Sequence, residues 1–547
     1  MKDFSKEIKA YALKNALEFG KVEVGRILPK LFQHGLDKKD IKQIMPKIIE
    51  IVNEVNSYDE IKRQRQFHDL KDFVKEHEEK EEGLPELEGA KEGKVITRLA
   101  PEPSKYIHIG HALVFLIQYL YAKKYNGKCI LRFDDTNPEK STKEFYDADK
   151  EDLAWLGIKW DKEMLASGNM EKYYELAEKL IKSKDAYVCE CSQEDIKKSR
   201  EKMKPCKCRK NSADKNMKEW KLMLNKEYGE GERTLRLKGD MKSKNGVMRD
   251  PVIFRISHAN HFIQGKKYVV WPMYDFESPV EDSLNGVTHV IRSKEFELRA
   301  ELQDYILKLL NLKMPVVREI GRYEITGAET QGRVIREMIE KKDVFGWDDP
   351  RLVTIKALRR RGFVPEMFQE LAQTVGLSKS SGHIDPSVLA ATNRKIIDKS
   401  SNRYSFVKNP VELKILKKPK IEKVDVQIHP DSAETREIKV GKIFISDDDF
   451  KNFKNKEIRL LHLYNIQLGK KIEFTSEENK DIPKINWVSN GVKTRILMPD
   501  GKWVEGYSEK AIENLEESEI IQFERFGFCR FDKVGKDMVY ELWFSHR

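Results

Sequence analysis

The 547 residues carry 102 Lys and Arg against 91 Asp and Glu, so the formal net charge is 102 − 91 = +11, with a pI near 8.9. That length exceeds one hydrophobic core and implies about three to five domains, while the charge makes a polyanionic partner plausible without requiring one. No apolar run reaches the roughly 18 residues of a spanning helix, and "MKDFSKEIKAYALKNALEFG" lacks a signal-peptide core, so a helical membrane protein is excluded and a cytoplasmic one expected.

Residues 1–75 space their apolar side chains as helices do, first Ile27, Leu28, Leu31 and Phe32, then Ile41, Ile44, Ile48, Ile49 and Val52. They predict a small helical domain. The charged stretch 76–92 lacks apolar periodicity and reads as a linker. From residue 93 the pattern changes to a strand ("KVITRL"), a helix ("IGHALVFLIQYLYAKKY") and a second strand ("KCILRFDD"). Strand, helix and strand within about forty residues form a βαβ unit, so an α/β domain with a parallel sheet is expected. Its first half spans 93–189 and its second 248–320, where "DPVIFRI" and "YVVWPMYDF" return to strand character. Between them, 190–247 is a lysine-rich insert. Helices return over 321–410. From 411 to 547 short alternating runs and a Pro-Asp-Gly turn at Pro499–Gly501 predict one or two small β-barrels.

Four of the six cysteines, Cys189, Cys191, Cys206 and Cys208, cluster at the start of the insert as two C-x-C pairs. In a reducing compartment four clustered thiols favour a closed structural zinc site over disulfides. The C-x-C spacing is tighter than the commoner C-x-x-C, and unliganded thiols are the alternative. Zinc would fold an insert too poor in apolar residues to fold alone. Lys197, Lys198, Lys202, Lys204, Lys207, Arg209 and Lys210 surround it, suiting phosphate contacts or a merely solvated face. Cys129 and Cys529 read as isolated core thiols.

Parallel sheets bind ligands at the carboxyl ends of their strands, where free N–H groups at the next helix N-terminus attract phosphate. His108 and His111 stand three apart at such a start, and Gly110 between them lets a flat group approach the backbone. ATP phosphates are the candidate ligand. In isolation the same pattern also serves to cap and pack a helix.

"RLAPEPSKYIHIGHA" followed by "LRFDDTNPEKS" resembles the signature of the class I glutamyl-/glutaminyl-tRNA synthetases. The likeness continues through "DLAWLGI", "WPMYDFESPVEDSLNGVTHVIRSKEF", "GWDDPRL" and "AATNRKIID", covering most of residues 93–410, and the β-rich tail fits the archaeal and eukaryotic branch. It implies a Rossmann-type catalytic domain, an inserted subdomain that grips the tRNA acceptor end, a helical stem-contact region and anticodon-binding β-barrels. That branch often carries an N-terminal helical extension, for which a protein partner is one use. The implied reaction uses ATP with Mg²⁺: a glutamate carboxylate attacks the α-phosphorus, and the adenylate is passed to tRNA(Glu), with tRNA(Gln) an open second acceptor. Activation is expected to need bound tRNA.

By resemblance His108 and His111 stabilise the phosphates, Asp134 clamps the substrate ammonium, Tyr274 lines the pocket and Arg98 contacts a carboxylate. Arg292 stands where the glutaminyl members are typically uncharged. A guanidinium pairs two-pronged with a carboxylate and rejects an amide, so L-glutamate is favoured over glutamine. The sequence departs from the family at its second signature, a mobile loop resembling S-K-R whose lysine stabilises the reacting phosphates. Here the positions are Gln331, Gly332 and Arg333, so the lysine is absent and Arg333 becomes the candidate replacement, with Lys341 and Lys342 behind it. A weak or inactive synthetase-like tRNA-binding protein is therefore the second reading.

Overall fold

The computed structural model describes residues 3–37, 40–74, 84–379 and 381–547 and divides into two compact units, residues 1–82 and 83–547. In the first, α1 (Ser5–Phe19), α2 (Val24–Leu31), α3 (Ile41–Asn56) and α4 (Glu60–Leu70) enclose Ile8, Leu13, Ile27, Leu31, Ile48 and Val55. Ile44, Ile48, Ile51, Val52 and Val55 recur on one face of α3 and are all buried, as the helical period requires. Ile49 falls off that face and is 43% exposed. Asn56 fixes α3 against the α1–α2 turn by exchanging two 2.9 Å hydrogen bonds with the Val22 backbone.

The stretch expected to be a linker, 76–92, is only partly so. Residues 75–83 lie outside the described residues, but Leu84–Glu92 is fastened to the catalytic unit. Tyr121 donates to the Pro85 carbonyl at 2.9 Å, the Leu87 N–H donates to Tyr125 Oη at 2.9 Å, and Leu87 is buried. Charge hid this: Glu86, Glu88 and Glu92 are interspersed with Leu84, Leu87 and Ala90, which pack against the core.

The second unit begins with β1 (Ile96–Leu99), α5 (Ile109–Lys124), β2 (Lys128–Phe133), α6 (Lys143–Trp155) and β3 (Lys162–Leu165). There follow α7 (Met170–Lys182), β4 (Ala186–Cys189), α8 (Gln193–Glu201), α9 (Ala213–Leu224), β5 (Thr234–Leu237), β6 (Val252–Ile256), β7 (Val270–Pro272) and α10 (Tyr274–Leu284). Then come β8 (His289–Ser293), α11 (Glu297–Leu310) and β9 (Val316–Ile320). β1, β2 and β3 pair in parallel, as do β8 and β9, and Thr288 joins the two groups through 2.8 and 2.9 Å hydrogen bonds to Ile96. The order β3-β2-β1-β8-β9 reverses between β1 and β8. Ligands of such sheets bind in the crevice beyond that switch point. α5 is apolar almost all round because the sheet covers one side and α14 (Pro365–Val375) the other.

β4, β6 and β7 do not belong to the parallel sheet: with β5 they form an antiparallel sheet ordered β4-β5-β6-β7. The inserted unit is therefore wider than 190–247, and Trp220, Phe254 and Trp271 fill a core it shares with α7, α10 and α11. A buried apolar run reads the same in either sheet type, and periodicity cannot tell them apart.

After β9 the chain forms β10 (Tyr323–Ile325), α12 (Gly332–Glu340), α13 (Ile355–Arg360), α14, β11 (Gly382–Ile384) and α15 (Pro386–Ile397). The β-rich tail starts at Arg403, ahead of the expected 411, and holds two cores. A seven-stranded sheet draws strands from 403–408 and 492–546, while 410–489 forms the second unit between them. Arg360 anchors the tail to α13 with two bonds to Asp532, at 3.0 and 2.8 Å. No described helix is long and apolar enough to cross a membrane.

Candidate active site

His108 is the N-cap of α5: its Nδ1 accepts the Gly110 N–H at 3.1 Å, and the ring stacks on His111 with centroids 3.8 Å apart. Burial drives the His108 pKa down to about 3 and His111 well below the usual range, with Lys105 and Arg322 adding to both. Both rings are neutral at physiological pH. A neutral imidazole accepting at Nδ1 carries its proton on Nε2, so His108 offers a phosphate a hydrogen-bond donor and no charge. The start of α13 braces this loop, Ile109 N–H donating to the Val353 carbonyl at 3.1 Å and Ile355 N–H to that of Ile107 at 2.8 Å. Gly110 permits a close approach, but the group that makes it is the Tyr323 carbonyl of β10, which would lie 2.9 Å from a Cβ at that position.

Beyond the ends of β1, β2 and β8 lies a buried charge network. Arg132 holds Asp134 two-pronged at 2.6 and 3.2 Å and Asp282 at 2.7 Å. Arg98 donates to Asp282 at 3.1 Å and to Gln118 at 3.1 Å. Burial and the Asp134 charge push Glu277 well above the carboxylate range, so it holds its proton. Two guanidiniums then face two carboxylates. The carboxylate that Arg98 contacts is thus Asp282, and two of the four acceptor positions on Asp134 are taken by Arg132. Tyr274, its phenol pushed up by burial, lies in the field of Arg98, Arg292, Asp134 and Asp282.

Arg292 differs from these. It is 6% exposed, donates from Nη1 to Gln303 Oε1 at 2.6 Å, and stands 3.9 Å from Glu319. Its Nε and Nη2 have no hydrogen-bond partner among the described residues. Buried donors are seldom left unpaired.

Arg333, expected to replace the signature lysine, does not face the histidines. Its side chain is 86% exposed and pairs with Glu337 at 3.4 Å, one helical turn along α12. Lys341 and Lys342 are exposed as well. As the second residue of α12, Arg333 points wherever the helix face turns it, and that face is solvent.

The four cysteine sulfurs lie within 4.8 Å of one another. Zn–S bonds of about 2.3 Å set tetrahedral sulfurs about 3.8 Å apart; Cys189–Cys206 and Cys191–Cys208 are 3.7 and 3.9 Å. Arg236 donates to Cys206 at 3.5 Å and to Cys189 at 3.7 Å, the outer-shell support that thiolates need. The donor set fits zinc. Of the seven basic residues named around it, Arg209 turns inward to Asp250 at 2.9 Å, and the six lysines are exposed.

The family model for class I tRNA synthetases (E and Q), catalytic domain, matches residues 94–399, more than half of the chain. The chain belongs to that family. Two models for the anticodon-binding domain of the same synthetases match residues 401–486 and 470–532. Relatives called glutamate–tRNA ligase include those of Korarchaeum cryptofilum, 37% identical over 97% of this chain and 98% of its own, and Pyrococcus furiosus, 38% identical over the same shares. That of Nitrosopumilus maritimus is 40% identical over 99% of both chains. A solved glutamate tRNA ligase from Elizabethkingia meningosepticum covers 56% of this chain and 70% of its own at 18% identity and a TM-score of 0.41, too distant to carry an argument.

Four residues beside the candidate site escaped the sequence reading: Lys105, Arg132, Asp282 and Gln303. Glu277, Glu281 and Asp282 are all buried in one short helix, α10. Acids crowded beside Phe276 and Val280 on one helix signal buried cations elsewhere, the clue that Arg132 was one of them.

Proposed function

We propose that the chain is an ATP- and Mg²⁺-dependent glutamate–tRNA ligase of the cytoplasm. In this reading a glutamate carboxylate oxygen bonds to the α-phosphorus of ATP, the bond to the bridging oxygen breaks, and its electron pair leaves with pyrophosphate. The 3′-terminal ribose of tRNA(Glu) then displaces AMP. tRNA(Gln) is a second acceptor to test in the same assay, and the N-terminal helices are the surface offered to a protein partner.

One observation carries the choice of amino acid: the buried Arg292, whose Nε and Nη2 make no hydrogen bond, Nη2 standing 3.9 Å from Glu319. A γ-carboxylate satisfies both donors at once, whereas an amide presents its NH₂ to one of them. Asp134 and Tyr274 would hold the substrate ammonium beside it, and the His108 and His111 N–H groups with the start of α5 would meet the phosphates. Such a site works by positioning and fixed dipoles. Against the non-catalytic reading, His108 and His111 stack at the start of α5, and Asp134 and Arg292 both act on Tyr274. Pyrophosphate exchange tests the proposal: with tRNA present, glutamate supports it and glutamine does not, and without tRNA it is nearly lost. Equal exchange with both amino acids contradicts it.

The cysteine cluster would hold a structural zinc through Cys189, Cys191, Cys206 and Cys208, within an insert whose exposed lysines meet the acceptor-end phosphates. Bound there, the ion would crosslink the end of β4 to the 206–208 turn through these four thiolates. Protein purified without chelator is expected to contain one zinc per chain, and Cys206→Ser to lose it together with protease resistance of residues 190–247. Metal analysis well below one zinc per chain contradicts this.

A further inference from the structure

We propose that Lys105, which lies in the loop before α5, supplies the positive charge that meets the leaving pyrophosphate, in place of the lysine missing at position 332. The inference rests on the ligase reading above. It starts from a charge deficit: the ATP triphosphate is polyanionic, and the two histidines that face it are neutral. Mg²⁺ offsets part of that charge, and the protein must position a cation where more develops at the bridging oxygen.

Among the described residues the other cations around Lys105 are already engaged: Lys356 donates to Tyr106 Oη at 3.3 Å. Arg322 pairs with Glu295 at 2.9 Å and Glu324 at 2.7 Å. Arg336 donates to the Ser104 carbonyl at 3.0 Å, and Arg333 is turned to solvent with Glu337. Lys105 alone has no hydrogen bond or ion pair to its ammonium among the described residues, although Glu102, Glu295 and Asp149 act on it or are acted on by it at longer range. It is half-buried, and burial lowers its pKa. A half-buried ammonium with no counter-ion is poised for an anion that arrives with the substrate.

The second observation is Gly332. A Cβ there would lie 3.0 Å from Lys105 Cδ and 3.2 Å from its Cβ, so the Lys105 stem crosses the face of the first residue of α12. Any side chain at 332 would compete for the same space. One lysine stem fits between the two loops, and this chain supplies it from position 105.

Exchanging the two residues separates charge from scaffold. We would measure adenylate formation in single turnovers with MgATP, glutamate and tRNA for the parent, Lys105→Gly, Lys105→Met and the double variant Lys105→Gly, Gly332→Lys. Losing one electrostatic contact made in the transition state costs about 10²–10³-fold in rate. We expect that loss in both single variants with KM for glutamate unchanged, and at least about tenfold recovery in the double variant, which regains an ammonium from the other loop. Lys105→Met keeps the apolar stem and guards against a folding defect in the glycine variant. Parent-like rates in Lys105→Met overturn the proposal, as does a rate loss that the double variant leaves unrepaired. A parent that forms no adenylate overturns the ligase reading, and this inference with it.

Discussion

Replacing Arg292 with leucine is expected to lower kcat/KM for glutamate about 10³-fold, roughly 4 kcal/mol, with no compensating gain for glutamine. The size follows from burial. A substrate carboxylate on a 6% exposed guanidinium makes two charge-assisted bonds in a water-poor crevice, and truncating one partner leaves the other charge buried and unpaired. Glutamine gains nothing because leucine replaces a donor with no polar group at all. Gln303 and Glu319 lose a neighbour, so a small fall in thermal stability accompanies the loss. Steady-state exchange with each amino acid decides the matter. A variant within tenfold of the parent on glutamate removes Arg292 as the carboxylate receptor.

The second large effect is on stability. Arg132→Leu should destabilise the catalytic unit by about 3–5 kcal/mol, because a buried ion network broken at its centre leaves carboxylates with no partner. Arg132 is 1% exposed and holds Asp134, Asp282 and the Ser278 hydroxyl, the last at 2.9 Å. Arg98 keeps its bond to Asp282, but Asp134 loses its only ion pair among the described residues. Asp134→Asn should cost less, since the guanidinium retains Asp282 and both Ser278 contacts. Denaturant midpoints followed by tryptophan fluorescence would rank the two, and equal midpoints for parent and Arg132→Leu would contradict the network's importance.

The sequence made some of this legible and hid the rest for physical reasons. β1, α5 and β2 could be read because the period switches from strand to helix and back within a short span, and His108 and His111 stand out at the helix start. β4, β6 and β7 could not be assigned to their own sheet, because buried strands look alike whatever they pair with. Arg292 was reachable through one matched block. The network around Arg132 was not, since Asp282 stands 150 residues further along the chain and only folding brings the two together. Lys105 was invisible for the same reason: its meaning lies in its contact with Gly332. Conversely, Arg333 looked like the natural substitute for a missing lysine, and only its orientation on α12 shows that it faces water.

Glutamate–tRNA ligation is tested most directly by aminoacylation of tRNA(Glu) with labelled glutamate and, in parallel, labelled glutamine, using the purified full chain, ATP and Mg²⁺. Charging with glutamate alone is expected, at a rate that depends on Arg292. Binding of the tRNA without charging by either amino acid would contradict it.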